Sequence, residues 1–127
     1  MPGPFQPKAI LINETLGNLG ALGLGQAPDV EDFAYVDSQI DNVIRMLAAL
    51  EICYIADPEN IPSALINPLA DIMASECANR FGASSDDNAK LQVKGLGVPP
   101  GSGAAAMAIK AMTRGRPTYQ PLQSIYF

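Results

Sequence analysis

The side chains that most often carry enzyme chemistry are scarce in this sequence of 127 residues. There is no histidine, which removes the commonest general base, His-based metal sites and the Ser-His and Cys-His arrangements of nucleophilic catalysis. The two cysteines, Cys53 and Cys77, lack Cys-x-x-Cys spacing. Both fall in predicted helices on or near the apolar side, where a cytosolic protein commonly buries reduced thiols. We therefore expect no catalytic residue, no cofactor and no metal site.

Carboxylates are the remaining candidates for catalysis, and their positions have a structural explanation. The pairs Glu31/Asp32 and Asp86/Asp87 fall in the first turns of predicted helices, where the helix dipole favours negative charge. A catalytic pair needs a cleft between two elements, which sequence spacing does not show. A small hydrolase acting on cell-wall polymers stays open as an alternative. Its candidate acids are Glu14, Glu59 and Glu76.

A glycine-rich stretch, GALGLG at residues 20–25, does not indicate a nucleotide site. Its spacing is GxxGxG rather than G-x-G-x-x-G, no strand is predicted before it, and the GK[ST] of a P-loop is absent. Together with Pro28 it predicts a loop.

The C-terminal arm, about residues 113–127, has the composition of a recognition segment. It combines guanidinium groups, aromatic rings and aliphatic side chains, which are enriched in interface anchors, with prolines that reduce the entropy lost on docking. The candidate partner-binding residues are Arg114, Arg116, Pro117, Tyr119, Leu122, Ile125, Tyr126 and Phe127. A frayed terminus is the alternative, but disordered tails ordinarily lack so many large apolar side chains. We expect an arm that becomes ordered on a partner.

Charge is distributed unevenly along the chain. Residues 1–87 hold 13 acidic and three basic side chains, a formal charge of −10, whereas residues 88–127 hold five basic side chains and no acidic one, a charge of +5. A basic end on an acidic body suggests contact with an acidic surface, whether a partner protein, a neighbouring subunit or nucleic acid. Because the body would repel a polyanion, sequence-specific nucleic-acid binding is not expected.

The element expected to organise the fold is a long helix over residues 33–54. Its apolar side chains recur at steps of three and four and form one stripe along a helix. The stripe comprises Phe33, Val36, Ile40, Val43, Ile44, Leu47, Leu50 and Tyr54. Asp29 is the predicted N-cap of this helix, and the Asp57-Pro58 dipeptide predicts the turn that follows it.

Further helices are predicted from the same periodicity and from capping residues. They cover residues 8–19, 62–81 and 86–96, and a short fifth helix covers residues 104–112. Gly20 and Gly82 should end the first and third of the four main helices, and Ser84 or Ser85 should cap the fourth. Pro68 should bend the third helix or move its start to about Asn67. The predicted fold is therefore all-α, a small bundle of about four helices with an extended C-terminal arm. We assign residues 1–96 to the bundle and 97–127 to a Gly/Pro-rich linker, the short helix and the arm.

Neither a membrane span nor a secretion signal is expected. No apolar run approaches the ~18 residues that a transmembrane helix needs. The N-terminal MPGPFQPKAIL has no basic segment followed by an apolar one.

The order of these elements resembles the head-to-tail adaptor proteins (connector or tail accessory proteins) of tailed double-stranded DNA bacteriophages, particularly the small helical adaptors of short-tailed phages. The resemblance covers roughly residues 10–127. It is carried by LGNLGALGLG, the long helix VDSQIDNVIRMLAALEI, the D-P-x-N-I-P turn, a proline-containing helix ending in Ala-Asn-Arg-Phe-Gly, and the basic tail that closes on Tyr126-Phe127. The chain departs from the family at residues 97–103, GVPPGSG, where relatives tend to keep a more continuous helix.

The resemblance implies a structural virion protein at the head–tail junction, made in the host bacterial cytoplasm. It implies a dodecameric ring beneath the portal protein, with double-stranded DNA passing through the channel without sequence-specific binding. The arm would dock on the portal, and the bundle would form the ring and the platform for the next tail component, a nozzle or hub. A monomeric cytosolic helical module that binds one protein partner through its arm is the alternative.

Overall fold

The computed structural model describes residues 5–20, 28–82 and 84–114 of the chain, with only the backbone of Arg114. Within these ranges five α-helices dominate, and the prediction of an all-α fold is confirmed. The elements in order are β1 (Phe5–Gln6), α1 (Lys8–Asn18), α2 (Val30–Ala49), β2 (Ile61–Pro62), α3 (Ile66–Cys77), α4 (Ser85–Lys94) and α5 (Ala104–Arg114). Short 3-10 turns, Ser63–Leu65 and Ala78–Phe81, flank α3.

Helix α3 occupies the centre of the described bundle. It packs against α1, α2, α4 and α5. A helix covered on most of its circumference needs apolar or small side chains nearly all round, and eight of its twelve residues are buried. These are Ile66, Leu69, Ala70, Ile72, Met73, Ala74, Ser75 and Cys77.

The prediction that the long second helix is the central one is wrong. Helix α2 buries only the stripe Val36, Ile40, Val43 and Leu47 along its 20 residues. The rest of its circumference is at least partly accessible to solvent, so α2 covers one flank of α3 as an amphipathic outer helix.

The predicted extension of this helix to Tyr54 is also wrong, because α2 ends at Ala49 in a Schellman motif. Glu51 adopts a left-handed φ of 59°, its N–H donates to Ala48, and the Ile52 N–H donates to the Leu47 carbonyl at 2.9 Å. Leu47 and Ile52 are both buried, which supplies the apolar contact typical of this motif. The C′ residue is usually glycine, and a glutamate there gives no sequence signal. Tyr54 therefore lies outside the helix and is exposed.

Other predicted helix ends are confirmed. Asp29 caps α2 by accepting from the Asp32 N–H, and Ser84 caps α4 by accepting from the Asp87 N–H. Gly20 and Gly82 end their helices at left-handed φ values of 74° and 77°. Pro68 is the third residue of α3, where its missing N–H has no intrahelical partner to lose.

The N-terminal segment is fixed by a short strand pair and by one lysine. Strands β1 and β2 pair antiparallel, with Phe5 opposite Pro62. The Lys8 ammonium lies 3.0 Å from a carboxylate oxygen of Asp37 and 3.8 Å from one of Glu59. It thereby links α1 to α2 and to the turn before β2.

The Gly/Pro-rich connection between α4 and α5 is a compact, hydrogen-bonded loop. The Leu96 carbonyl accepts from the N–H groups of both Gly101 and Gly103, each at 2.9 Å. A side chain at Gly97 would collide with the backbone at Gly103, so the beginning and the end of the loop are in direct backbone contact. Helix α5, longer at its C-terminus than predicted, then packs Ala105, Ala106 and Ile109 into the common core.

Substitution at the centre of the bundle should cost far more than substitution on α4. We expect Ile72→Ala to lower the free energy of unfolding by about 3 kcal/mol, because it removes a completely buried side chain and leaves a cavity. The control Val93→Ala, at an exposed position, should change it by less than about 0.5 kcal/mol. Urea denaturation followed by circular dichroism measures both, and equal effects would contradict a central α3.

Two glycine substitutions test the close packing of the connection. Gly97 and Gly82 both have positive φ, but a Cβ would meet the Gly103 backbone only at Gly97, whereas Gly82 has open space around it. Gly82→Ala should cost about 1 kcal/mol from backbone strain alone. Gly97→Ala should cost more, since the loop must also open, and its thermal midpoint should be the lower of the two. Similar midpoints would indicate that residues 97–103 are not held as described.

Candidate interaction surfaces

The predicted docking arm lies almost wholly outside the described residues. Arg114 is the last residue of α5, so its backbone is helical rather than extended. Arg116, Pro117, Tyr119, Leu122, Ile125, Tyr126 and Phe127 lie outside the described residues, and their role stays a prediction.

A shallow apolar groove lies between α4 and the beginning of α5. We call it the basic groove, and it is lined by Ala89, Lys90, Val93, Lys94 and Ala104. Val93 is 71% exposed, and Met107, on the outer side of α5, is 59% exposed. Two lysines line the groove, whereas the acidic residues of α4, Asp86 and Asp87, lie in its first turn and outside the lining. This surface therefore combines exposed apolar area with positive charge.

None of the α4 residues is fully buried. Polar contacts therefore contribute much of what holds this helix against its neighbours. The Asn88 side-chain amide donates to the Asn79 amide oxygen at 2.9 Å, which fixes the start of the helix. Asp71 on α3 lies 3.7 Å from the Lys94 ammonium and accepts from the Asn18 side chain at 3.1 Å. Consequently α4 leaves Ala89 and Val93 exposed at the edge of the groove.

The N-terminal half of α2 presents a surface of opposite charge. Five carboxylates and no basic residue lie between residues 28 and 44. We call the exposed side of this half the acidic face, and it consists of Val30, Glu31, Ala34, Ser38 and Asp41. Val30 is 82% exposed, so this surface also has an apolar component.

A third surface surrounds Tyr54, which is 80% exposed. A pocket beside it is lined by Pro62, Ala64, Leu65, Met112 and Thr113, as well as by Tyr54 itself. The Thr113 hydroxyl lies 2.9 Å from the Ile109 carbonyl and 3.4 Å from that of Ile52, which joins the end of α5 to the turn after α2. The pocket thus lies next to the point where the chain continues toward the predicted arm.

The carboxylates considered for a hydrolase lie on three different elements. Glu14 is exposed on α1, and Glu76 is exposed near the end of α3. Glu59 is in the turn before β2, where it accepts from the Lys8 backbone N–H at 3.3 Å. The same lysine has a raised pKa, mainly because its ammonium is hydrogen-bonded to Asp37 and attracted by that charge. Lys8 and its carboxylates therefore form a structural cluster.

Both cysteines have free thiols, as expected. Cys77, the last residue of α3, is fully buried, and burial raises its pKa from 9.0 to about 11, with a smaller contribution from the charge of Glu76. Cys53, predicted to lie within a helix, is outside α2 because that helix ends early, and it is half-buried with a pKa raised by desolvation. Raised pKa values keep thiols protonated and weakly nucleophilic at neutral pH.

Sequence reasoning missed the basic groove and the Tyr54 pocket. For the groove the available signal is the weak apolar pattern of the helix predicted at residues 86–96, in which Ala89, Leu91, Val93 and Leu96 form no clear stripe; such a helix buries little and stays accessible. The Tyr54 pocket had no such signal, since Tyr54 was expected on a buried helical stripe.

Across residues 5–20, 28–82 and 84–114, no group of three or more acidic, cysteine or histidine side chains could hold a metal ion. Among the described helices none has the length and apolarity to cross a bilayer.

Comparison of the chain with protein family models, curated proteins and solved structures gives no match. The resemblance to head-to-tail adaptors therefore stays a prediction.

The raised pKa of Cys77 predicts a loss of stability in alkaline solution. Between pH 9 and 11 the unfolded thiol ionises while the folded thiol stays protonated, so the free energy of unfolding should fall by roughly 2–3 kcal/mol from this group. Other groups also titrate there, and we compare the wild type with Cys77→Ala. Cys77→Ala should lose less stability over this interval than the wild type. Cys53→Ala removes a half-buried thiol whose pKa is also raised, and its profile should differ less from the wild type than that of Cys77→Ala. Parallel pH profiles for all three proteins would refute the assignment.

Proposed function

We propose that this chain is a structural head-to-tail adaptor of a tailed double-stranded DNA bacteriophage. Copies form a ring beneath the portal protein, extend the DNA channel and provide the attachment platform for the next tail component. The resemblance in the order of elements supports this role, and the ring's dodecameric order comes from that resemblance alone.

The observation that carries the proposal is the presence of two unlike surfaces on different helices of a small bundle. A subunit in a ring with head-to-tail contacts needs one surface for each neighbour. The basic groove lies between α4 and α5 and is lined by two lysines, whereas the acidic face lies on α2 and exposes Glu31 and Asp41. Each surface also has exposed apolar area. Such surfaces suit contacts between subunits, because exposed apolar area beyond scattered single residues marks interaction sites.

The acidic balance of the chain also suits this role. The formal charge is −5, and an acidic ring repels the DNA backbone and leaves it free to slide. The small size of the bundle is a second support, since domains of about 100 residues bury limited surface and gain stability from neighbours.

The mass of the chain in solution, alone and with a portal ring, tests the proposal. At micromolar concentration we expect a monomer alone and a stoichiometric ring on the portal, measured by light scattering. A monomer under both conditions would refute the adaptor function. It would favour the alternative of a binding module, in which the Tyr54 pocket and the arm receive one protein partner.

Deletion of Pro117–Phe127 tests the role of the arm within this function. The deletion should abolish portal binding, because it removes the aromatic and aliphatic anchors, while helical content measured by circular dichroism stays unchanged. Replacement of the same segment by a Gly/Ser sequence of equal length is the control for chain length. Undiminished portal binding by the deletion variant would show that the arm is not the docking segment.

A further inference from the structure

We infer that neighbouring copies meet through the basic groove of one chain and the acidic face of the next. This contact deepens the proposed function, on which it rests only for its place in a virion ring. The contact itself follows from the charge and shape of the described surfaces.

The shapes are complementary as a helix and a groove. Besides its two lysines, the groove between α4 and α5 is lined by small and apolar side chains, Ala89, Val93 and Ala104. The exposed side of α2 presents Val30, Ala34 and Ser38 in helical succession, without a large polar side chain among them. Small side chains on both surfaces permit close approach, and amphipathic helices bind in apolar grooves in this way.

Charge favours this pairing over the alternative in which the groove meets its own copy. Lys90 and Lys94 line the groove, and a symmetric contact would bring the lysines of both chains together. Placed on the acidic face, the same lysines lie near Glu31 and Asp41, which are both exposed. Like charges facing each other across an interface disfavour the contact, whereas complementary potentials fix its orientation. The contact is therefore heterologous, and repeated copies generate a ring when the rotation closes.

The contact should be weak between free chains. The groove is small relative to the ~1,200 Å² that stable interfaces bury, and a dissociation constant of about 1 mM fits such an area. A portal that holds several copies side by side raises their effective concentration and drives the same contact toward completion. A chain that is monomeric at micromolar concentration would in this way form a ring on a template.

Intermolecular paramagnetic relaxation tests the contact without a portal. The full chain carries a nitroxide at Ala111→Cys, an exposed position on α5, in a Cys53→Ser background, with the buried Cys77 retained. It is mixed at about 1 mM and low salt with nitrogen-15-labelled wild-type chain, because ionic contacts weaken as salt rises. We expect broadening of amide signals between residues 30 and 41, and its loss at high salt. Broadening centred on residues 89–108 indicates a symmetric contact and overturns the inference, as does the absence of broadening.

Two charge reversals of equal size separate the specific contact from the effect of net charge. Lys90→Glu in the spin-labelled chain should abolish the broadening in the nitrogen-15-labelled wild-type chain. When the same spin-labelled variant is mixed with a nitrogen-15-labelled chain that carries Asp41→Lys, at least half of the broadening should return. Arg45→Glu in the nitrogen-15-labelled chain changes the net charge by the same amount as Lys90→Glu. Because Arg45 lies on α2 beside the acidic face and not within it, the broadening should be retained. All three positions are exposed, and amide spectra confirm folding. Equal loss in Lys90→Glu and Arg45→Glu overturns the inference.

Failure of this contact is distinguishable from failure of the adaptor function. A chain that forms a ring on the portal but shows no broadening on α2 keeps the function and refutes the contact. A chain that shows the contact but never binds a portal self-associates in another setting, and then the contact stands while the adaptor function fails.

Discussion

Eight of the twelve side chains of α3 are kept from water, and that requirement places the other helices. No single amphipathic helix covers a helix that is apolar nearly all round, so α1, α2, α4 and α5 each cover part of it. Ser75 is the one polar residue among these eight buried positions. Its hydroxyl donates to the Ile72 carbonyl at 2.7 Å within the helix, which satisfies the group without a partner from outside. The helices around α3 are consequently the surface of the molecule, and their outer faces decide what it binds.

The sequence predicts the local features of this fold well, because they depend on neighbouring residues. The caps at Asp29 and Ser84 and the left-handed glycines at 20 and 82 follow from side-chain chemistry within one helical turn. The end of α2 was missed because a glutamate takes the left-handed position that glycine usually takes, and because the closing contact needs a buried Ile52. The choice of central helix was missed for a different reason. A stripe shows that one face is buried, but the number of neighbours around a helix is a property of the tertiary packing.

The interaction surfaces were less accessible to sequence reasoning than the elements that form them. The excess of basic residues after position 87 is visible in the sequence and points to an acidic partner surface. Its location in a groove depends on how the loop at residues 95–103 folds back, which composition does not reveal. Glycine and proline there suggested only a break in the helices. Hydrogen bonds to the Leu96 carbonyl make the same stretch a fixed corner that brings Ala104 close to Val93.

That corner has a consequence for how the surface forms during folding. Both walls of the basic groove come from one continuous stretch, residues 85–114. Closing so short a loop costs little chain entropy, and structures built from nearby residues form quickly. The groove can therefore take shape as soon as α4 and α5 settle on α3, early in the life of each new chain. A recognition surface assembled from distant segments would instead have to await the last long-range contact.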